Sequence, residues 1–344
     1  MVVNNIYIDT INKKIVCSMS NGIILFDIEN KINKYRDIKL SKNIRLAKIN
    51  INNNKITYAY LTNDNENAIY LQNEDNNSEN QEYFVSLEMP EKILNVEITK
   101  TLIIIILSKK ILIYNRLNYE QLHAYNTCLN ENGILLTNNN DLPKIYTVGM
   151  KCGEVSYINL QNEIPIYMSC HDNAISCITT DKNDKYLATA STCGTLIRVF
   201  DIESNKMLFE FRRGSTTATI YDLSISDDLK WLACCSNRGT LHIFELEKES
   251  KKNQRLKVYD YLTNYKSLVN YMDYMNYSNS VWSREQIALP NKFYHNCKFD
   301  EKTYTNDQGI VTKSTVLHVL SIDGKYFRVN MGNTIIKSDI EYIF

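Results

Sequence analysis

The sequence predicts an all-β fold, a seven-bladed β-propeller of four-stranded, WD40-like blades. Short runs of alternating or continuous apolar residues, separated by turn residues, extend almost from end to end, and only one stretch has helical periodicity. The stretch Tyr186–Ser204 is repeated in Trp231–Glu249, with four positions matched 45 residues later. The matched positions are Leu187, Ser191, Gly194 and Thr195. A period near 45 residues is typical of a propeller blade.

Weaker copies of the repeat occur at Val16–Ile28 and Tyr146–Leu160. One blade cannot bury both of its faces, so blades must stack around an axis and close a ring. We therefore divide residues 1–344, as one domain, into seven blades. In order they are Asn4–Ile38, Ile44–Ser86, Ile93–Cys128, Gly133–Tyr167, Ala174–Phe211, Thr219–Leu289 and Tyr294–Phe344. The extreme N-terminus is left free to complete the last blade.

Two insertions interrupt the repeats. The first, Asn63–Gln81, is mostly polar and acidic, which predicts a short strand and a loop. The second, residues 247–283, lies inside the sixth blade and begins with the basic cluster KESKKNQRLK. Apolar residues spaced by three or four then predict an amphipathic helix, namely Val258, Leu262, Tyr265, Val269, Met272 and Met275. This helix fits either a membrane interface or the propeller's own surface.

Composition limits the classes of function. The chain has 39 Lys and Arg against 39 Asp and Glu, so wholesale, charge-driven attachment to nucleic acid or to an anionic membrane is not expected, and any anion recognition must be local. Nine cysteines, none in a zinc-site spacing, indicate a reduced, cytosolic compartment and no metal. The longest apolar run, Leu102–Leu107, is too short to span a bilayer, and the N-terminus lacks the pattern of a signal peptide.

Two adjacent arginines, Arg212 and Arg213, close the fifth blade in the sequence FEFRRG. Successive side chains of a strand point to opposite faces, so the two guanidiniums should serve two different pockets. Gly214 would let the backbone turn sharply after the pair. Arginine matches phosphate oxygens in a bidentate way, which makes both pockets candidates for a phosphorylated ligand.

Small polar side chains of the two best-matched repeats flank this pair. The fifth blade supplies His171, Ser191, Thr195 and Arg198, and the sixth supplies Ser236, Thr240 and His242. Hydroxyls, backbone N–H groups beside glycine and an imidazole suit a phosphorylated headgroup, so two similar anion pockets on one rim are predicted. The alternative is that each hydroxyl only organises the turn between strands.

At this point the sequence resembles a known family. The stretch His171–Leu246 resembles the PROPPIN/WIPI family of phosphoinositide-binding seven-bladed propellers. The residues that carry the resemblance are FRRG at Phe211–Gly214, ATAS at Ala188–Ser191, GTLIRVF at Gly194–Phe200 and GTLHIF at Gly239–Phe244. The first 90 or so residues match only in their blade pattern.

The resemblance implies two headgroup sites. Site 1 would consist of Arg212 with His171, Ser191, Thr195 and Arg198, and site 2 of Arg213 with Ser236, Thr240 and His242. The implied ligands are phosphatidylinositol 3-phosphate and phosphatidylinositol 3,5-bisphosphate. The family's sixth-blade loop, which inserts apolar residues into the bilayer, corresponds to residues 247–283, with Val258, Leu262, Tyr265, Val269 and Met272 as candidates. The segment Ser215–Leu223 lacks the basic residue that some members carry there.

The resemblance further implies a non-enzymatic, monomeric effector without a cofactor that serves autophagy or related membrane remodelling, together with partners such as a lipid-transfer protein. It would be cytosolic and peripheral on phagophore, endosomal or vacuolar membranes, with a plastid-like organelle left open. No catalytic fingerprint is present, and Cys234 and Cys235 lie in an apolar strand. Two other classes stay open: a propeller scaffold that binds only proteins, and an enzyme acting on phosphoinositides.

Overall fold

The computed structural model describes residues 2–29, 32–52, 55–75, 83–138, 143–246, 280–305, 311–332 and 334–344. These residues form seven β-sheets and no helix. The predicted all-β, seven-bladed propeller is confirmed. Each sheet corresponds to one repeat, and we call the sheets blades 1 to 7 in chain order.

Blades 1 to 4 each consist of four consecutive antiparallel strands. Blade 1 contains β1 (Val3–Asp9), β2 (Lys14–Met19), β3 (Gly22–Asp27) and β4 (Asn33–Lys39). Blade 2 contains β5 (Ile44–Asn52), β6 (Lys55–Thr62), β7 (Ala68–Asp75) and β8 (Tyr83–Glu88). Blade 3 contains β9 (Asn95–Ile98), β10 (Leu102–Ile106), β11 (Lys110–Asn115) and β12 (Gln121–Asn126). Blade 4 contains β13 (Leu135–Thr137), β14 (Lys144–Val148), β15 (Glu154–Asn159) and β16 (Ile166–Ser169).

Blades 5 to 7 depart from this order of four consecutive strands. Blade 5 contains β17 (Ile175–Thr180), β18 (Tyr186–Ser191), β19 (Leu196–Asp201) and β20 (Lys206–Arg212), and it gains β24 (Val281–Trp282) at its outer edge. Blade 6 contains β21 (Ile220–Ile225), β22 (Trp231–Ser236), β23 (Thr240–Glu245) and β25 (Glu285–Ala288). Blade 7 contains β26 (His295–Thr305), β27 (Val311–Ser321), β28 (Lys325–Met331), β29 (Ile336–Lys337) and β30 (Glu341–Tyr342).

The first strands of the blades contact one another around a closed ring. The order of contact is β1, β5, β9, β13, β17, β21 and β26, and β26 then contacts β1. Strand β1 pairs with β2 inside blade 1. The sequence had allowed the N-terminus to complete the last blade. In the structure it does not, because it belongs to blade 1. Blade 7 is instead completed by β29 and β30, which both pair with β28.

The apolar core is divided among the seven contacts between neighbouring blades. In the described chain, each cluster of buried apolar side chains joins two adjacent blades, including blade 7 with blade 1. Every residue of β18 is buried, whereas most of the outer strand β12 is exposed. Central strands need apolar residues on both faces because each face packs on another blade, which explains their continuous hydrophobicity in the sequence.

Polar side chains tie blade 7 to the blades on both sides of it. The Asn296 side chain accepts a hydrogen bond from the Ile8 backbone N–H at 2.8 Å and donates to the Asp222 carboxylate. The Lys298 ammonium lies 2.8 Å from the other oxygen of Asp222. Burial alone would lower the pKa of Lys298, but the Asp222 carboxylate raises it above the usual value. Blades 6, 7 and 1 are thus joined by one hydrogen-bonded network.

Candidate functional site

The two arginines end the fourth strand of blade 5 on opposite faces of the sheet. In the ladder with β19, Phe211 pairs with Ile197 and Arg212 pairs with Leu196. Phe211 is buried in the cluster between blades 5 and 6. Because side chains alternate along a strand, Arg213 follows Phe211 toward blade 6, whereas Arg212 lies on the face turned to blade 4.

Arg213 is buried, with only 4% of its surface exposed. Its Nε donates to the Gly194 carbonyl at 2.8 Å, and its Nη2 donates to the Thr216 carbonyl. It forms no ion pair with any carboxylate of the described residues. Burial, and then the nearby Arg238 guanidinium, lower the pKa of Arg213. A buried cation held only by carbonyl dipoles is a good receptor for an anion, because an anion would supply the missing charge.

The turn at Gly194 holds Arg213 in this place. Gly194 has φ of +60°, and a Cβ added there would lie 1.9 Å from the Ala218 carbonyl oxygen, so only glycine fits. The Thr195 carbonyl accepts the Arg213 backbone N–H at 2.9 Å. Gly214 behaves differently, since a Cβ added there meets nothing within 4 Å and its φ is not in the left-handed region. The local backbone therefore does not require glycine at position 214.

His242 lies beside Arg213 on the blade 6 side. It is 5% exposed, and its Nδ1 is 3.2 Å from the Ser283 Oγ. Burial, followed by the positive charge of Arg213, lowers the pKa of His242 to about 4. The imidazole is therefore neutral at physiological pH and offers a hydrogen bond without adding a second charge beside Arg213.

The other predicted members of site 2 line the same face of blade 6. Ser236 is fully buried, and its Oγ accepts the Arg238 backbone N–H at 3.4 Å. This contact fits the alternative reading in which the hydroxyl organises the turn. Thr240 is half-buried at the start of β23, two residues before His242, so alternation along the strand places Thr240 and His242 on one face.

Strand register shows which residues of the two blades correspond. Thr189 pairs with Arg198 in blade 5, and Cys234 pairs with His242 in blade 6. Thr189 and Cys234 are 45 residues apart, whereas Arg198 and His242 are 44 apart. Blade 6 is therefore one residue shorter at the start of its third strand. His242 occupies the position in site 2 that Arg198 occupies in site 1.

Site 1 is built around Arg198. Its Nε lies 2.9 Å from the Glu210 carboxylate, and its Nη1 donates to the Cys170 carbonyl at 2.7 Å. Glu210 and Arg212 are two residues apart on β20, so they share one face of the sheet with Arg198. Site 1 thus contains an ion pair between an arginine and a carboxylate.

His171 lies in the connection between blades 4 and 5. Its Nε2 is 3.0 Å from the Thr189 Oγ1. Burial, and then the positive charge of Arg198, lower the pKa of His171 to about 4. Ser191 is buried at the end of β18, and its carbonyl accepts the Gly194 N–H at 2.9 Å. Four of the five residues predicted for site 1 therefore lie on the blade 4 side of blade 5. The fifth, Thr195, supports Arg213 through its backbone.

The segment 280–284 connects both sites. Ser280 Oγ accepts a hydrogen bond from Arg212 Nε at 3.0 Å, and Ser283 Oγ contacts His242. Strand β24 between them pairs in parallel with β20 of blade 5, and the chain then enters β25 of blade 6. The residues predicted to insert into a membrane are Val258, Leu262, Tyr265, Val269 and Met272, and they lie outside the described residues.

Two residues that the sequence analysis missed belong to these sites. Glu210 could have been found from the period of two in FEFRRG, which puts it on the face of Arg212. Arg238, in the turn before Gly239, is the second. Its Nε donates to the Thr217 carbonyl at 3.0 Å. The sequence places Arg238 in the turn Ser-Asn-Arg-Gly-Thr, which repeats the corresponding turn of blade 5, and this position could have identified it.

In the part of the chain that the structure describes, neither the adjacent cysteines of β22 nor a metal-binding cluster adds to the sites. Cys234 and Cys235 are fully buried, and burial raises the pKa of both thiols well above the usual value, so they stay protonated. Among the residues that the structure describes, no three His, Cys, Asp or Glu side chains are grouped so as to hold a metal ion. In the same part of the chain, no helix has the length and apolar character required to cross a bilayer.

A ring of seven antiparallel sheets that carries two neighbouring arginine-containing sites on one rim belongs to the class of seven-bladed β-propellers. Within that class, the PROPPIN family model matches residues 78–283, and the chain belongs to the PROPPIN family. Both candidate sites lie inside the matched region.

The chain is also similar to individual members of the family. It is 33% identical to autophagy-related protein 18e of Arabidopsis thaliana over 46% of this chain and 43% of that protein. It is 35% identical to autophagy-related protein 18 of Caenorhabditis elegans over 46% of this chain and 40% of that protein. These matches span less than half the length of either relative.

Solved structures share the fold over nearly the whole chain. Kluyveromyces lactis Hsv2 has a TM-score of 0.71 at 17% identity, and 99% of each chain is covered. The complex of KlAtg21 with the coiled-coil of AgAtg16 has a TM-score of 0.67 at 16% identity, again covering 99% of each chain.

Proposed function

We propose that this protein is a non-enzymatic phosphoinositide effector that binds the headgroups of phosphatidylinositol 3-phosphate and phosphatidylinositol 3,5-bisphosphate. The observation that carries this proposal is Arg213, a buried guanidinium bonded to carbonyls and without a carboxylate partner among the described residues. Burying a charge without a counterion costs on the order of several kcal/mol of folding free energy, because the ion loses its hydration. A phosphate bound at Arg213 would offset that cost.

Each site would bind one headgroup. At site 2, Arg213 would bind a phosphate group, and His242, Ser236 and Thr240 would donate hydrogen bonds around it. At site 1, Arg212 would act with Arg198, His171 and Ser191. Because Glu210 already neutralises part of the charge of Arg198, site 1 should bind more weakly than site 2.

Two sites on one rim support attachment to a membrane surface. Arg212 and Arg213 are adjacent in sequence, and both lie at the end of blade 5 that carries the Gly194 turn. Capture of a second headgroup becomes intramolecular once the first is bound, which raises the overall affinity about 10²- to 10⁴-fold. The insertion after β23 returns to the propeller at Ser280, beside both sites, and its apolar residues would add membrane contact.

The cellular role we propose is recruitment to membranes that carry 3-phosphorylated inositol lipids, in autophagy or related membrane remodelling. The family and the autophagy-related relatives support this role. The protein would cycle between the cytosol and phagophore, endosomal or vacuolar membranes. Its partners would be autophagy proteins, for example a lipid-transfer protein that docks on the propeller.

The test is vesicle co-sedimentation with the double variant Arg212→Ala, Arg213→Ala. The parent chain should bind to phosphatidylcholine vesicles that contain either phosphoinositide. The double variant should show almost no binding to the same vesicles. The matched control is Lys182→Ala, Lys230→Ala, which removes two exposed positive charges from turns at the opposite end of blades 5 and 6. Unchanged binding by the arginine variant, with its fold intact, would reject the proposal and favour the protein-binding scaffold.

A further inference from the structure

The turn between β22 and β23 places a third guanidinium next to site 2. Arg238 is exposed, and both its Nε and its Nη2 donate to the Thr217 carbonyl. Thr217 lies in the same short segment as Thr216, whose carbonyl binds Arg213. Two arginines from different blades are therefore fixed on one short loop, Arg213 buried beneath it and Arg238 exposed beside it.

Nothing negative in the described chain balances this pair. Neither Arg213 nor Arg238 has an ion pair with a carboxylate of the described residues, and burial, together with the positive charge of Arg238, lowers the pKa of Arg213. A third cation is close, because the side chain of Lys292 lies against Gly239, with its Cγ 3.3 Å from the position that a Cβ on Gly239 would take. Like charges held together without a counterion destabilise the free protein and favour a ligand with several negative charges.

Site 1 lacks this concentration of charge. The residue of blade 5 that corresponds to Arg238, 45 positions earlier, is Cys193. Arg198, the second guanidinium of site 1, is paired with Glu210 at 2.9 Å. The two sites therefore share one architecture and differ in net charge. That difference predicts a difference in the number of phosphates that each site prefers.

We propose that Arg238, assisted by Lys292, binds the second phosphate of a bisphosphorylated inositol headgroup at site 2 and makes this site selective for bisphosphorylated over monophosphorylated ligands. The inference rests on the proposed function, since it assigns a ligand class to one of its two sites. Arg213 binds one phosphate below the loop, and Arg238 binds another at the exposed edge.

The experiment isolates site 2 in the Arg212→Ala background. Binding is measured to phosphatidylcholine vesicles with phosphatidylinositol 3-phosphate, phosphatidylinositol 3,5-bisphosphate or phosphatidylserine, at matched total charge. Arg238→Ala should reduce binding to the bisphosphate lipid about tenfold, the effect of one charge-assisted hydrogen-bonding group, and binding to the monophosphate lipid less than about twofold. Lys292→Ala should act in the same direction with a smaller effect. The control Lys230→Ala, on the opposite end of blade 6, should change neither.

A second arm uses soluble inositol 1,3,5-trisphosphate in a direct titration and separates headgroup recognition from attraction to a charged surface. Loss of its binding in Arg238→Ala supports recognition of the phosphates themselves. Equal losses on all three kinds of vesicle would overturn the inference and leave the proposed function standing. Failure of the chain with both arginines intact to bind either phosphoinositide would overturn both.

Discussion

The Nε of Arg212 donates a hydrogen bond to the Oγ of Ser280 at 3.0 Å, although 68 positions separate the two residues in sequence. Three residues after Ser280, the Ser283 Oγ contacts His242 in the other site. The chain that returns from the sixth-blade insertion is therefore attached to site 1 and site 2 in turn. Any ligand that moves Arg212 or His242 will also act on the end of the insertion.

The first prediction concerns this attachment. Ser280→Ala removes an acceptor that orients Arg212 and should weaken vesicle binding about two- to tenfold, the usual range for one lost hydrogen bond. Binding is measured by co-sedimentation with phosphatidylinositol 3-phosphate vesicles. Ser204→Ala is the control, because the Ser204 hydroxyl donates to Asp201 at the far end of blade 5. A Ser280 variant that binds like the Ser204 variant would show that the contact does not position Arg212.

The second prediction compares two glycines beside Arg213. Gly194→Ala brings a Cβ against the Ala218 carbonyl in a left-handed backbone conformation, so it should destabilise the fold by at least about 1–3 kcal/mol and weaken binding at site 2. Gly214→Ala meets open space and should be neutral, or stabilise by up to about 1 kcal/mol. Urea unfolding and vesicle binding measure both effects. Similar losses in the two variants would contradict the turn geometry.

The third prediction is a pH dependence of stability. The pKa of His242 is lowered to about 4 in the folded protein, below its unfolded value near 6.5. Stability from this group is therefore fully present above pH 6.5 and is lost as the pH falls toward 4, by about 3 kcal/mol at most. His171 should contribute with the same sign.

Urea unfolding of the parent and of His242→Gln, at pH 7.5 and pH 4.5, tests this. The variant should lose less stability between the two pH values than the parent does. Equal losses would mean that folding does not lower the pKa of His242.

The fourth prediction concerns the network at blade 7. Asp222→Ala leaves Lys298 without its carboxylate and Asn296 without its acceptor, and should destabilise the protein by about 3–5 kcal/mol. Asp222→Ala combined with Lys298→Met should recover part of this loss, because it removes the unpaired charge. Additive losses in the double variant, measured by chemical unfolding, would show that the two side chains do not interact.

The sequence predicted the ring of blades because repeated segments of similar sequence form similar sheets, and these sheets must pack against one another. Gly194 and Gly239 recur 45 residues apart, and each adopts a positive φ at the same turn of its blade. Continuous apolar strands such as β10 predicted blades that are covered on both faces. The opposite directions of Arg212 and Arg213 also followed from strand alternation, which depends on nothing beyond local geometry.

The rest could not be predicted because it depends on contacts between distant segments. The return of residues 280–284 across two blades has no local signal, and neither does the support that Thr195 gives to Arg213. The change in spacing between corresponding residues of blades 5 and 6, from 45 to 44, is visible in the sequence. The pairing of His242 with Cys234 is what identifies His242 as the counterpart of Arg198. In the sequence, nothing distinguishes Arg238 from other turn residues. Its hydrogen bond to the Thr217 carbonyl shows that it lies beside Arg213.

The pairing of β1 inside blade 1 has a mechanical consequence. Within the described ranges no strand is shared across the junction between the first and last blades, so contacts of residues such as Ile8, Asn296 and Tyr326 form that junction instead of a backbone ladder. Blades 1 and 7 can consequently separate without breaking the backbone hydrogen bonds between the strands of any sheet. Under heat, denaturant or a pulling force, this joint should yield first, and amide exchange should be fastest along its edges.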